Sequence, residues 1–345
     1  MSLPLPEYGH LLELIDETGI YEHSRFGVPR REHGYTLDDA ARALIVLTDA
    51  TPNEMVVAAQ GTLLAFVLDS ITHDGRFRNR LSYSREWQDW NEDDSGDAHG
   101  RGVWALCTAA TANFRPDWTA AARSALEDLV SPESPHLRPL TYAALGADAL
   151  WRRDRHDPMA ILLAQPVAER LRSFRPPWPE PRLAYANARI PAAMLSCGAV
   201  LEDPDLTDKG LETLDWLVAV EQRDGHFSFT PVGGWAPGEP RPSFDQQPLE
   251  AAAMSDACLR AWQLTGERRW REAVLGCGAW LMGDNDGRVP LYDPDTGATR
   301  DGLMIDGVNL NSGAESTISG IAVLQDCARV ADMSDVGRIP LGTTA

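Results

Sequence analysis

The stretch DQQPLEAAAMSDACLRAW, residues 245–262, decides the fold. After its polar start, small and apolar side chains occur on every side of a helix, which is the pattern of a buried helix. The segment that follows has a single apolar stripe instead, at Trp270, Val274, Cys277 and Leu281. We therefore predict an inner, buried helix followed by an outer, amphipathic helix.

The same alternation runs along the whole chain. Inner helices are predicted to begin near residues 37, 97, 137, 187, 245 and 312, at intervals of 40 to 67 residues, which is the spacing of a helical repeat array. Little sequence remains after the sixth, so we expect residues 8–18 (YGHLLELIDET) to supply its outer partner and close a ring. This predicts one all-α domain over residues 1–334, followed by a short tail, residues 335–345.

A short D-G-x-F element recurs after two of the outer helices, at residues 74–77 and 224–227, with a degenerate copy at residues 286–289. Asp-Gly favours a tight turn, and the next apolar residue returns to the core. The nearby GDNDG, residues 283–287, suggests calcium, but it lacks EF-hand spacing and is more typical of a turn.

The amino-acid composition limits the classes of binding partner and the cellular compartment. The 345 residues include 51 acidic and 31 basic side chains, a formal charge of −20, so nucleic acid and anionic membrane surfaces are poor partners. The five cysteines form no C-x-x-C pair, which argues against disulfides or a zinc site and favours a reducing compartment. The N-terminus lacks the pattern of a signal peptide, and no stretch has the length of a membrane span. We expect a cytoplasmic protein without metal or cofactor.

Polar clusters occur at five of the six inner-helix starts, and the third start (LRPLTYAAL) reads as structural. In a ring of helix pairs, all the connections from an outer helix to the next inner helix emerge on one face. In this chain those connections are longer than the turns on the other face. Long loops over a rigid scaffold are where functional residues concentrate. Asp39, Asp97 and Glu315 are the candidate catalytic carboxyls. The candidate substrate-binding residues are Asp38, Trp87, Trp90, His99, Arg101, Tyr185, Asn187, Asp245, Gln246, Gln247, Asn309 and Asn311.

These residue types suit a neutral polyol. Amides and carboxylates bond to hydroxyls, two carboxyls can break a glycosidic bond, and tryptophan faces stack on C–H surfaces. The chain has eleven tryptophans, of which four are candidate platforms: Trp87, Trp90, Trp104 and Trp235.

Structural interpretations compete with several of these assignments. Asp38, Asp39 and Asp245 are also favoured helix N-caps, and the acidic run at residues 92–94 is typical of a solvated loop. Formation of a buried helix does not require the sequence D-x-H-G-R at its start, which favours a functional role for His99. Glu315 lies in a helix otherwise short of charge, and a buried Glu needs a partner or a chemical role.

Four motifs, LDDAARAL, SGDAHGRGVWAL, DQQPLEA and NLNSGAEST, occur in this order in the chain. Together they resemble the six-hairpin toroid proteins encoded beside, or fused to, bacterial glycosyltransferases, over residues 34–320. The resemblance implies an (α/α)6 toroid, and it aligns positions Asp39, Asp97, His99, Arg101, Gln247 and Glu315. One position departs from the pattern: Gly96 stands where the family has an acidic residue, which raises the prospect of an altered or inactive protein.

The first functional hypothesis is a glycoside hydrolase that acts on a bacterial oligosaccharide or glycan. The resemblance implies an inverting enzyme, with carboxyls roughly 6.5–9.5 Å apart. A sugar epimerase or isomerase of the same fold is the alternative, and it would need a second histidine facing His99, with His226 the first to inspect. A non-catalytic glycan-binding partner of a glycosyltransferase is the third.

Overall fold

The computed structural model describes residues 3–88, 96–129 and 134–332, and most of them are helical. The α-helices in chain order are α1 Gly9–Glu13, α2 Leu37–Leu47, α3 Glu54–Asp69, α4 Asp97–Thr111, α5 Pro116–Asp128, α6 Leu137–Arg153, α7 Pro158–Leu171, α8 Arg189–Val200, α9 Pro204–Glu221, α10 Pro248–Thr265, α11 Arg268–Leu281 and α12 Ala314–Asp332. The even-numbered helices form a closed inner ring, in which each packs on the next and α12 packs on α2. This is an (α/α)6 toroid, so the predicted fold class is confirmed.

The odd-numbered helices form the outer layer. From α3 to α11, each packs against the inner helix that precedes it. The N-terminal segment does reach the sixth inner helix, since α1 contacts α12 and α3, but only five residues of it are helical. The predicted tail, residues 335–345, lies outside the described residues, and the domain limits stay a prediction. No helix in the described ranges is both long and apolar enough to cross a bilayer.

Short antiparallel strand pairs lie in the connections that lead into inner helices. Their strands pair as β1–β2, β3–β4, β5–β6 and β7–β8, with bounds Ser24–Arg25, Val28–Pro29, Tyr35–Thr36, Arg80–Leu81, Gln222–Arg223, His226–Phe227, Gly302–Met304 and Gly307–Asn309. Three of these four pairs are hairpins, whereas β3–β4 joins the connection before α2 to the connection before α4. The second D-G-x-F element is the β5–β6 turn, where Asp224 and Gly225 have φ values of 51° and 87°. The strand pairs therefore lie on the face where the inner helices begin.

The inner helices begin close to the predicted residues, but the predicted caps are wrong. Thr36 is the N-cap of α2, and its hydroxyl accepts a hydrogen bond from the Asp39 amide at 3.2 Å. Asp38 and Asp39 therefore occupy the first turn and do not cap it. Gln247, not Asp245, is the N-cap residue of α10.

Glycine in D-x-H-G-R has a packing role that sequence reasoning missed. A Cβ atom on Gly100 of α4 would lie 2.2 Å from the carbonyl oxygen of Pro139 in α6. A Cβ on Gly146 of α6 would lie 2.9 Å from the Trp104 Cα of α4. The two helices approach so closely that only glycine fits at both contacts, so the motif is partly structural.

Gly100→Ala is expected to lower the free energy of unfolding by about 2 kcal/mol, because overpacking against a backbone carbonyl outweighs the better helix propensity of alanine. Gly210→Ala in α9 is the matched control, since its Cβ would meet side-chain atoms at 3.1 Å, which can shift more readily. Denaturant unfolding of both variants measures the difference. Equal stability of the two variants would contradict the packing argument.

Candidate active site

Three of the predicted acids converge where α2, α4 and α12 begin. Asp38 lies in the first turn of α2, Asp97 is the first residue of α4, and Glu315 lies in the first turn of α12. The charges of all three act on the guanidinium of Arg101, which extends from the second turn of α4. The structure therefore gathers acids that are far apart in sequence around one cation.

A second guanidinium, Arg42 of α2, joins the remaining acid to the group. It donates to Glu315 Oε2 at 2.7 Å and to Asp39 Oδ1 at 2.8 Å. The Thr36 hydroxyl donates to the other Asp39 oxygen at 2.8 Å, so protein groups occupy both oxygens of this carboxyl. Asp39 is buried, whereas 37% of the Glu315 side chain is exposed. Asp39 thus positions Arg42, and Glu315 is open to a ligand.

The shared guanidinium separates the pKa values of these two carboxyls. Burial raises the pKa of Asp39 to about 6; Arg42 opposes this rise and the charge of Glu315 adds to it. Burial also acts to raise the pKa of Glu315, but Arg42 and Arg101 together hold it below its ordinary value. Glu315 therefore stays ionised to lower pH than Asp39 does.

Arg101 organises the other half of the cluster. It pairs with Asp38 Oδ2 at 3.0 Å and donates to the Tyr142 hydroxyl at 2.9 Å. The Tyr185 hydroxyl donates to Asp97 Oδ2 at 2.7 Å. The Oδ1 atoms of Asp38 and Asp97 have no hydrogen-bond partner among the described residues. Both atoms are shielded from solvent, so within the described residues they are buried acceptors without a donor.

The backbone conformation at Gly96 accounts for the lack of an acidic side chain at this position. It is the N-cap residue of α4, with φ at 79°, in the left-handed region that favours glycine. A Cβ there would come no closer than 3.5 Å, to Pro139, so the obstacle to an acidic residue is backbone conformation rather than space. Asp97, one residue later, is the acid that α4 presents.

The aromatic candidates at the second start are packed against protein. His99 is half-buried, with its ring edge-on to Phe77 at 5.2 Å between centroids. Trp87 contacts Phe66 at 5.2 Å, and the Arg78 guanidinium covers it at 4.7 Å. Trp90 lies outside the described residues.

The two other candidate platforms also carry an arginine. Arg189 lies 5.0 Å from the Trp104 ring, and Arg241 lies 5.7 Å from the Trp235 ring. A sugar stacking on these faces would have to displace a guanidinium, so the packed indoles are weaker platforms than the sequence suggested.

The amides predicted to bind ligand at the fourth and fifth starts are used by the protein. Asn187 is fully buried; its Oδ1 accepts from the Ala184 amide at 2.9 Å, and its Nδ2 donates to Glu250 at 3.2 Å. Gln246 is also fully buried, and its Oε1 accepts from the Trp280 indole at 3.0 Å. These side chains fix the connections that lead into the inner helices.

The remaining candidates lie at the edges of the connections. Asp245 is exposed and Gln247 is partly exposed. The Asn309 oxygen accepts from the Asn311 amide at 3.1 Å, and the Asn311 oxygen accepts from the Phe26 amide at 2.9 Å. Both asparagines therefore hold the loop before α12 in place.

His226, the histidine proposed to face His99, is engaged elsewhere. It is buried in β6, where Nε2 lies 3.2 Å from Asp286 Oδ1 and Nδ1 lies 3.4 Å from the Arg288 guanidinium. Asp286 also accepts from Gln246 at 2.5 Å. The histidine thus links the second D-G-x-F turn to its degenerate copy.

A cavity of about 350 Å³ extends below Arg42 and Arg101, along the ring axis. Its wall combines apolar side chains, among them Ile45, Trp104 and Ile318, with charged ones, among them Arg189 and Asp326. At greater depth, Arg260 pairs with Asp148 at 2.5 Å and with Asp256 at 3.1 Å. The cavity is at the lower end of the size range of small-molecule sites.

Comparison with solved structures shows that the chain shares its fold with several solved enzymes. It is similar to a sugar epimerase from a ruminal bacterium (TM-score 0.69, 12% identity, 95% of this chain and 96% of that chain). It is also similar to cellobiose 2-epimerase from Spirochaeta thermophila DSM 6192 (0.66, 14%, 93% and 93%) and to the cellulase Cel9M of C. cellulolyticum (0.61, 11%, 92% and 88%). At such identities the similarity establishes the fold. No family model and no curated protein matches the sequence.

Arg42→Gln is expected to lower the free energy of unfolding by about 3 kcal/mol at pH 8 and by less at pH 5, because it leaves a buried carboxylate unpaired. The pKa of Asp39 is already raised to about 6, so this group contributes stability that is lost as pH rises from about 4 to 6. Without Arg42 that pKa rises further, and the loss extends to higher pH.

The matched control is Arg42→Gln combined with Asp39→Asn. Removing the Asp39 carboxyl removes its titration, so the double variant should show a smaller difference between the two pH values; the remainder is due to Glu315, which also loses Arg42. Urea unfolding at pH 5 and pH 8 measures all three proteins, and a single variant equally destabilised at both would contradict the role of Asp39.

Proposed function

We propose that the protein is a glycoside hydrolase that cleaves a bacterial oligosaccharide or glycan, with Asp97 and Glu315 as its carboxyl pair. The observation that carries this proposal is the cluster of Asp38, Asp97 and Glu315 around Arg101, in which the Oδ1 atoms of both aspartates have no hydrogen-bond donor among the described residues. Sugar hydroxyls are donors for such oxygens. Carboxylates outnumber arginines in the cluster, which favours a neutral over an anionic sugar.

We propose an inverting reaction, in which the two carboxyls would lie roughly 6.5–9.5 Å apart to admit a water molecule. Glu315, whose pKa is lowered, would accept a proton from that water as the water oxygen bonds to the anomeric carbon. Asp97 would give a proton to the glycosidic oxygen as the bond to the anomeric carbon breaks.

Other residues of the cluster would support this pair. Asp39 would act through Arg42, which holds Glu315, and would not touch the sugar. Tyr185 would orient Asp97 through its 2.7 Å hydrogen bond. Asp38 would bind a sugar hydroxyl through its Oδ1 atom.

The structural neighbours support a sugar substrate but do not choose the reaction. These neighbours include epimerases, an isomerase and a cellulase. Epimerisation by two bases is less well supported, because Asp286 and Arg288 hold His226. Association with a glycosyltransferase remains a proposal that rests on the four motifs.

Glu315→Gln and Asp97→Asn are each expected to lower kcat at least about 100-fold on any oligosaccharide that the wild type cleaves, because each removes a group that transfers a proton. Glu212→Gln, on the exposed side of α9, is the matched control and should retain activity. A panel of reducing and non-reducing oligosaccharides, followed by NMR, would report both cleavage and the anomer formed first.

Three results would overturn the proposal. Full activity in both variants would exclude these carboxyls, and an epimerised sugar without cleavage would assign the alternative reaction. Saturable glycan binding without any turnover would favour the non-catalytic glycan-binding hypothesis.

A further inference from the structure

Three residues of metal-binding types meet beside the junction of α12 and α2. Glu22 and His23 directly precede β1, and His33 ends a short 3-10 helix, Arg31–His33. The Glu22 carbonyl oxygen accepts a hydrogen bond from the Ala314 amide, at the first residue of α12, at 3.2 Å. This segment is therefore anchored where the sixth inner helix begins.

The geometry of the three side chains suits one ion. Each residue offers a donor atom, and the three donor atoms lie within 4.8 Å of one another. The two imidazole rings are nearly perpendicular, at 85°, with centroids 4.9 Å apart. Two imidazoles bound to one tetrahedral Zn²⁺ at about 2.0–2.1 Å would have their centroids about 5 Å apart. The histidine pair is already spaced for shared coordination.

An independent observation points to a ligand at the same place. His33 Nε2 is shielded from solvent and has no hydrogen-bond partner in the described part of the chain. Buried polar atoms in folded proteins almost always have a partner. A bound cation would satisfy this lone pair.

The carboxylate of this cluster is held in a fixed orientation. Arg80 donates to both oxygens of Glu22, at 2.7 and 2.8 Å. Such outer contacts orient a metal-binding carboxylate, although the positive charge of Arg80 reduces its attraction for a cation. Half of the His23 side chain is exposed, so water can reach a fourth coordination position.

We propose that Glu22, His23 and His33 bind one divalent transition-metal ion of the Zn²⁺ type. Two imidazoles and one carboxylate favour such ions over Ca²⁺ and Mg²⁺, which prefer all-oxygen sites. The ion would clamp the segment before β1 at the start of α12. This inference does not rest on the proposed hydrolase activity.

Titration of the metal-free full chain with ZnCl₂ in a calorimeter should show one ion per chain, and Zn²⁺ should raise Tm. His33→Ala and His23→Ala should each weaken Zn²⁺ binding at least about tenfold and abolish the Tm rise. His156→Ala is the matched control, because this exposed histidine lies in the turn between α6 and α7. Co²⁺ should give visible absorption typical of tetrahedral coordination in the wild type and in the His156→Ala control, but not in the His23 and His33 variants.

Absence of Zn²⁺ binding would overturn the proposal, as would wild-type affinity in both histidine variants. The exposed His23 keeps the test valid if the His33 variant does not fold. All five cysteines are buried, so they do not compete for the ion in the folded chain. Binding and Tm are measured without substrate, so failure here is distinguishable from failure of the hydrolase proposal.

Discussion

The ion pair between Arg42 and Glu315 joins two inner helices whose residues are 273 positions apart, and the ring depends on this junction. A toroid has no free edge only if its last inner helix packs on its first. Here a guanidinium at the contact also holds the buried Asp39. The junction of α12 and α2 carries Asp38, Asp39 and Glu315 of the candidate site. The packing that closes the ring therefore also positions these carboxyls.

The sequence predicts the ring well because burial patterns are local. Helices α2, α4 and α6 begin at the predicted residues 37, 97 and 137, where an apolar run follows a polar turn. The other inner helices begin two or three residues late, since backbone amides donate to the side-chain oxygens of Asn187, Gln246 and Asn311 and fix the loops, which residue type alone does not reveal.

The candidate site is only partly readable from sequence. Asp97 and Glu315 are identifiable as charged residues at the starts of buried helices. For other polar side chains, residue type does not distinguish those that bind a ligand from those that hydrogen-bond to the protein. Arg42 is not among the residues predicted for the site, although it follows Asp39 by about one helical turn, a spacing at which opposite charges pair. Glu22, His23 and His33 match no metal-site spacing motif; the local β1–β2 hairpin brings them together, with the Arg30 amide donating to the His23 carbonyl oxygen at 2.8 Å.

The long distance along the chain between Arg42 and Glu315 also orders the events of folding. Contacts between distant residues form late, since a long loop must first be closed. During synthesis, α2 emerges with Asp39 and Arg42 long before α12 exists. The carboxylate cluster is therefore completed only when the sixth inner helix docks, and a partly made chain lacks it, however well its first five hairpins have packed.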